Sequence, residues 1–193
     1  CIRDMIHLQQ SVMKRGIIHL CKIGILLLDR DFEHDIYELI KAFYPEGDIH
    51  SLYEKDEEEY DIFFTVKKEN DNFVIKYETK DQKGVASAEV IRGADGDSSQ
   101  ETHEKLMDAH EFRKANKDSL KYALYNVLVK LTGRTLPWGN LTGIRPAKLA
   151  MGMIESGMKN TEIAQEMRER YLVSAKKTAL AITIANRERA ILQ

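Results

Sequence analysis

The spacing of apolar residues changes once along this 193-residue chain, and that change limits the folds open to it. Before Gly93, short apolar segments alternate with polar residues at a period of two, which is typical of β-strands. After Ser99, apolar residues recur every three or four positions, as in amphipathic helices. We therefore predict an α+β fold: a small antiparallel sheet with a covering helix, followed by an all-helical second half.

The first half carries the strand signals. Ile23–Leu28 is a continuous apolar run that predicts a buried strand, and apolar residues then follow at helical spacing from Phe32 to Phe43. Three more strands are predicted, separated by turn residues, at 61–68, 72–79 and 85–92. Short turns of this kind indicate an antiparallel meander.

Composition breaks at Gly93-Ala-Asp-Gly-Asp-Ser-Ser99, which is the predicted domain boundary. Asp95 and Asp97 are spaced as in a calcium loop, but Gln100 and Leu106 replace the glycine and glutamate that such a loop needs. The predicted organisation is a disordered or non-native leader, a sheet domain, a linker and a helical domain, at 1–22, 23–93, 94–101 and 102–193.

Four helices are predicted in the second half. The first has one apolar stripe and ends at Gly133, and Pro146 suits the first turn of the second. Asn160 and Ser174 are the predicted N-caps of the other two. In the last helix the predicted core positions are Leu180, Ile184 and Ile191.

Charge and cysteine content exclude several classes of protein. Residues 23–101 carry 9 Lys and Arg against 21 Asp and Glu, whereas residues 102–193 carry 16 against 9. This split suggests two mutually attracting units or a basic half that meets an anion, and the alternative is two solvated surfaces. Two cysteines, Cys1 and Cys21, are too few for a disulfide framework or a metal site and suit the cytoplasm. The apolar run 17–28 is too short to cross a bilayer.

The most informative segment is Leu136-Pro-Trp-Gly-Asn-Leu-Thr-Gly-Ile-Arg-Pro-Ala-Lys148, which holds the only tryptophan and two of the three prolines. Arg145 and Lys148 stand at the start of a predicted helix, where free N–H groups favour carboxylate or phosphate. The segment thus predicts an anion site on a rigid scaffold of Trp138, Gly139, Thr142, Gly143 and Pro146. The alternative is structural, with Trp138 packed between helices and Arg145 bound to a loop carbonyl or an acid of the first half.

This segment, with Tyr171-Leu-Val-Ser174, resembles the oxygen-independent coproporphyrinogen III oxidases (coproporphyrinogen dehydrogenases) of the radical-SAM type, in the form with a long N-terminal extension. The resemblance implies an oxidoreductase of heme biosynthesis that converts two propionates of coproporphyrinogen III into vinyl groups, using a [4Fe-4S] cluster and S-adenosylmethionine. The Cys-x-x-x-Cys-x-x-Cys cluster loop of that family is absent from this sequence. Both cofactors are therefore expected in a downstream domain, with no catalytic residue in this chain and no activity of the chain alone.

The resemblance also suggests a role for the cations. Arg145, Lys148 and Arg134 would orient the propionates of the tetrapyrrole or pack against acids of the downstream radical-SAM domain of the same polypeptide. The alternative is a helical module that binds nucleic acid or dimerises. A helix-turn-helix fits poorly, because Arg168-Glu-Arg-Tyr171 prolongs the first helix and no side chain suited to base edges follows before Asn186.

Overall fold

The computed structural model describes residues 21–28, 30–70, 72–90 and 109–192. In chain order, the elements in these ranges are β1 (Lys22–Leu27), α1 (Glu33–Phe43), β2 (Asp48–Leu52), β3 (Ile62–Glu69), β4 (Asn72–Thr79), β5 (Lys83–Glu89), α2 (Ala109–Thr132), α3 (Pro146–Glu155), α4 (Asn160–Glu169) and α5 (Ala175–Leu192). Strands fill the first half and helices most of the second. The predicted α+β class is confirmed.

The sheet has the strand order β2-β1-β3-β4-β5 and is mixed. The predicted antiparallel meander is correct for β3, β4 and β5. For the sheet as a whole the antiparallel prediction is wrong, because β1 pairs in parallel with both β2 and β3. The strand β2 was not predicted: it is a half-exposed edge strand that is polar at Asp48, His50 and Ser51, so it lacks a clear apolar alternation.

Both α1 and α2 pack into the core of the sheet. The predicted inner residues of α1, Ile36, Leu39, Ile40 and Phe43, are fully buried. The leucines of the α2 stripe lie in the same apolar cluster as the strands, so the long helix shares the core of the sheet. The predicted linker 94–101 lies outside the described residues, as does the leader except for Cys21 and Lys22, and Lys22 already belongs to β1.

A second apolar cluster joins α3, α4 and α5. The predicted inner face of α5 is wrong: Leu180 and Ile191 are 43% and 82% exposed, whereas Thr178, Ala181 and Ala185 are buried. Small residues on a helix allow its neighbours to approach closely, and a pattern based on side-chain hydrophobicity assigns the buried face to the larger residues instead.

Two further observations concern the described residues. No helix among them is long and apolar enough to cross a membrane. Cys21 carries a free thiol, and its burial, with the nearby Asp61 charge, raises its pKa to about 11.

Candidate functional site

The loop between α2 and α3 is held against the segment between α4 and α5. The backbone N–H of Asn140 donates to the carbonyl of Tyr171 at 3.0 Å. Ser174 donates twice to the carbonyl of Pro137, from its N–H at 3.1 Å and its Oγ at 2.9 Å. We call this set of contacts, made by Pro137, Gly139, Asn140, Tyr171 and Ser174, the clasp. It joins the two segments on which the resemblance rests.

The closest backbone approach in the clasp, at residue 139, leaves no space for a side chain. Gly139 has φ +59°, and a Cβ atom there would lie 1.9 Å from the carbonyl oxygen of Tyr171. The neighbouring Asn140 is buried, and its Nδ2 donates to the carbonyl of Arg170 at 3.5 Å. The Ser174 hydroxyl makes its hydrogen bond to Pro137 rather than to the first turn of α5, so its predicted capping role is not observed. The clasp therefore explains Gly139 and Ser174 structurally.

A buried lysine anchors the middle of the loop. Lys121 of α2 is only 6% exposed, and its Nζ donates to Thr142 Oγ1 at 2.9 Å and to the Thr142 carbonyl at 3.4 Å. The same Nζ lies 3.8 Å from Asp35 Oδ1 on α1. Burial lowers the pKa of Lys121, while the Asp35 charge opposes that shift. Sequence reasoning missed Lys121, because a lysine next to the apolar stripe of α2 looks like an ordinary surface residue.

Trp138 has a packing role. Its half-buried ring lies against the second apolar cluster, and Lys177 Nζ is 5.0 Å from the ring centroid, within cation–π range. The structural alternative therefore describes Trp138 well. Gly143, by contrast, has φ +72° and open space around its Cα, so its conformation rather than its surroundings favours glycine.

Two of the three predicted cations share one turn. Pro146 occupies the first turn of α3, as predicted, and Arg145 is the N-cap residue, with no side-chain capping hydrogen bond. The Arg145 carbonyl accepts the N–H of Lys148 at 3.0 Å. Both side chains are exposed, and neither has a hydrogen bond or ion pair with any residue of the described ranges. Arg145 thus contacts neither a loop carbonyl nor an acid of the first half there.

Arg134 lies elsewhere. It is exposed just beyond α2, close enough to Tyr44 for its charge to oppose the rise in the Tyr44 pKa that burial causes. No contact within the described ranges joins Arg134 to Arg145 or Lys148. The structure therefore brings together Arg145 and Lys148 at the first turn of α3, and anion binding by the three cations stays a prediction.

Sequence reasoning also missed Asp118, which links the two apolar clusters. Its Oδ2 accepts hydrogen bonds from Arg170 Nη2 at 3.0 Å and from the Tyr171 hydroxyl at 3.3 Å. Burial, together with the Asp118 charge, raises the pKa of Tyr171 to about 12. Asp118 lies among charged residues in the first half of α2, where its sequence environment is that of an ordinary surface acid.

Among the residues that the structure describes, no group of three or more His, Cys, Asp or Glu side chains could hold a metal ion. The residues of the clasp and of the α3 turn carry amide, hydroxyl, guanidinium and ammonium groups. These groups bind carboxylate or phosphate and do not supply the thiolates that an iron–sulfur cluster requires.

Comparison with known proteins gives one informative match. No family model and no solved structure matches this chain. The chain is 35% identical over 97 residues to the oxygen-independent coproporphyrinogen-III oxidase-like protein HemZ of Bacillus subtilis (strain 168). The match covers 48% of this chain and 19% of that relative, so the chain matches about a fifth of the relative's length. The resemblance to oxygen-independent coproporphyrinogen oxidases seen in the sequence is confirmed by this similarity.

Proposed function

We propose that this chain is an accessory region of a coproporphyrinogen oxidase-like protein of heme biosynthesis, and that the first turn of α3 holds carboxylates. One observation carries the proposal: Arg145 and Lys148 are exposed without a partner in the described ranges, at the start of α3, where the preceding loop is held in place by the clasp and Lys121. A guanidinium and an ammonium that have no partner among the described residues, held at the start of a helix, are suited to bind a partner from outside this region.

Tetrapyrrole propionates match this arrangement chemically. Coproporphyrinogen III carries four propionates, and a guanidinium can bind a carboxylate through two parallel hydrogen bonds. The N-terminal end of α3 adds a favourable partial positive charge. Because hydrogen bonds already hold the loop backbone in place, binding has to order only the two side chains.

The reaction itself belongs to another part of the polypeptide in this proposal. A [4Fe-4S] cluster with S-adenosylmethionine, held in a downstream radical-SAM domain, would supply the radical chemistry. Within this chain, Arg145 and Lys148 bind and orient propionates, or bind acidic residues of that domain. A cytoplasmic location is part of the same proposal.

Titration of the chain with coproporphyrin III, the stable oxidised tetracarboxylate, tests the substrate version by porphyrin fluorescence. Arg145→Ala and Lys148→Ala should each weaken binding by about fivefold, which corresponds to about 1 kcal/mol for an exposed charge pair. Lys176→Ala is the matched control, because Lys176 is also an exposed cation in the first turn of a helix, α5. Equal affinity of the wild type and the Arg145→Ala/Lys148→Ala double variant would contradict the substrate version.

The docking version requires the longer polypeptide. There the double variant should lower thermal stability or domain association while leaving the affinity for substrate unchanged. If neither substrate affinity nor stability changes, both versions are wrong.

The alternative of a nucleic-acid-binding or dimerisation module stays a prediction. The helix α4 continues through Arg168 to Glu169, so the short first helix of a helix-turn-helix is not formed here. Binding to duplex DNA that falls steeply with salt would nevertheless favour that alternative.

A further inference from the structure

The outer edge of β5 carries main-chain groups that are not used within the sheet. The β4–β5 hairpin closes on a hydrogen bond from Thr79 N–H to the Gln82 carbonyl at 2.8 Å. Hydrogen-bonded and non-hydrogen-bonded pairs alternate along an antiparallel ladder. The register that follows makes Val85 and Ser87 non-hydrogen-bonded partners of Lys76 and Val74. Their N–H and C=O groups therefore point away from β4.

An independent contact supports this assignment. Glu89 lies two residues beyond Ser87, so its main-chain groups also point away from β4. Its carbonyl accepts a hydrogen bond from Ser119 Oγ of α2 at 3.0 Å, from outside the ladder. The main-chain groups of Val85 and Ser87 have no such partner in the described ranges. Together these two residues present an open β-edge.

A groove runs beside that edge, between β5 and α2, with a volume of about 720 Å³. Part of its lining consists of small residues, Ala86 and Ala88 of β5 and Ala115 of α2. The ring of Tyr122 lines the groove and is exposed. We call this cleft the β5 groove. The side chains on one face of a sixth strand, paired with β5, would enter it.

The two edges of the sheet differ in their protection. The edge strand β2 has five residues and carries the acid Asp48, whose Oδ2 lies 3.0 Å from His50 Nε2. In β5, the stretch Gly84 to Ala88 contains no charged residue and no proline. Short length and charge are the usual protection of an edge strand against pairing, and the centre of β5 has neither charge nor proline.

We propose that β5 receives an extended strand from a partner polypeptide. The strand hydrogen bonds to the main chain of Val85 and Ser87, and every second side chain enters the β5 groove as an apolar group of medium size against Tyr122. Lys130 lies at the end of the groove away from Ser119 and has no ion pair in the described ranges, so a partner carboxylate fits there. This is recognition by β-strand addition, in which main-chain bonds provide affinity and alternate side chains provide specificity.

A second copy of this chain fits the β5 groove less well. Antiparallel pairing of β5 with itself would place Gly84, Ala86 and Ala88 of the other copy in the groove, and these small residues would leave it unfilled. The two-fold axis of such a pair is perpendicular to the sheet, so both α2 helices would lie on the same side and compete for the same space.

Hydrogen exchange and peptide selection test the proposal. In the chain alone, the amides of Val85 and Ser87 should exchange rapidly. Twelve-residue peptides selected from a random phage-displayed library against the chain should show apolar residues at alternate positions. As synthetic peptides, they should slow exchange of the two amides by at least tenfold.

Matched variants identify the binding mode. Ser87→Pro removes the outward N–H and should weaken peptide binding by at least tenfold, because an edge strand tolerates proline at an outward-facing position. Ser87→Thr keeps that N–H and should bind like the wild type. If Ser87→Pro does not fold, Tyr122→Glu provides the test from α2, and it should also abolish binding.

Three outcomes would overturn the proposal. One is slow exchange of Val85 and Ser87 in the chain alone, which would mean that the chain itself or a second copy covers the edge; sedimentation separates these two cases. Another is equal binding of the selected peptides by the wild type and both blocking variants. The third is the absence of any enriched peptide.

Discussion

At the scale of single residues, Gly139 offers the clearest test of the clasp. We expect Gly139→Ala to lower the free energy of unfolding by about 3 kcal/mol, because the new Cβ would overlap the Tyr171 carbonyl and the backbone has φ +59°. Gly143→Ala is the matched control. Its φ is +72° but no atom lies near, so the loss should be about 1 kcal/mol. Urea unfolding of both variants measures the difference, and equal losses would show that the clasp is not tight.

Lys121 gives the stability of the protein a specific pH dependence. Burial lowers its pKa from the usual 10.5, so the unfolded chain binds a proton more readily than the folded one. This contribution to stability therefore rises with pH, between the lowered pKa of the folded state and 10.5. The urea midpoint of the wild type should increase relative to that of Lys121→Met over that range. Parallel curves for the two proteins would contradict the prediction.

Sequence reasoning identified some of these residues and missed others. It selected the loop around Trp138 and Gly139 because rare residue types cluster there. It could not identify Lys121 or Asp118, because their partners Thr142 and Tyr171 are 21 and 53 residues away in the chain. A long-range polar contact leaves no local pattern.

At the scale of elements, the face of α5 that packs inward can be tested directly. We expect Ala181→Leu to destabilise the protein by about 1–3 kcal/mol, because Ala181 is buried against the second cluster and has no room for a larger side chain. Leu180→Gln, at the neighbouring exposed position, should change stability by less than about 0.5 kcal/mol. Thermal unfolding followed by circular dichroism measures both. A larger loss of stability in Leu180→Gln than in Ala181→Leu would show that the face predicted from the sequence is the buried one.

Strand pairing shows a similar limit. The meander of β3, β4 and β5 was predictable, because short turns bring consecutive strands together in antiparallel pairs. The position of β1 between β2 and β3 was not, because parallel pairing depends on how α1 and the 53–61 segment cross over the sheet. The polar strand β2 also lacks the alternation of apolar residues by which a strand is predicted from sequence.

At the scale of the whole molecule, Asp118 tests how firmly the two apolar clusters are joined. Asp118 and Asp31 each bind an arginine at about the same N–O distance, 3.0 and 3.1 Å, but their side chains are 15% and 66% exposed. Asp118→Ala should cost about 2 kcal/mol, since it leaves the buried Tyr171 hydroxyl without its acceptor and Arg170 with only its contact to Glu166. Asp31→Ala should cost less than about 0.5 kcal/mol, as is usual for an exposed pair. Similar losses in urea unfolding would show that Asp118 adds nothing beyond a surface salt bridge.

The sequence by itself determined the α+β class, α1, the stripe of α2, the antiparallel meander and the segment from Leu136 to Lys148 as the one to examine. These features follow from local periodicity and from residues with restricted backbones, which act over a few positions. Only the tertiary structure decided the parallel placement of β1, the buried face of α5, the anchoring of Thr142 by Lys121, and the separation of exposed Arg145 and Lys148 from Arg134. Those depend on contacts between distant parts of the chain, where packing and desolvation choose among arrangements that the local pattern leaves equivalent.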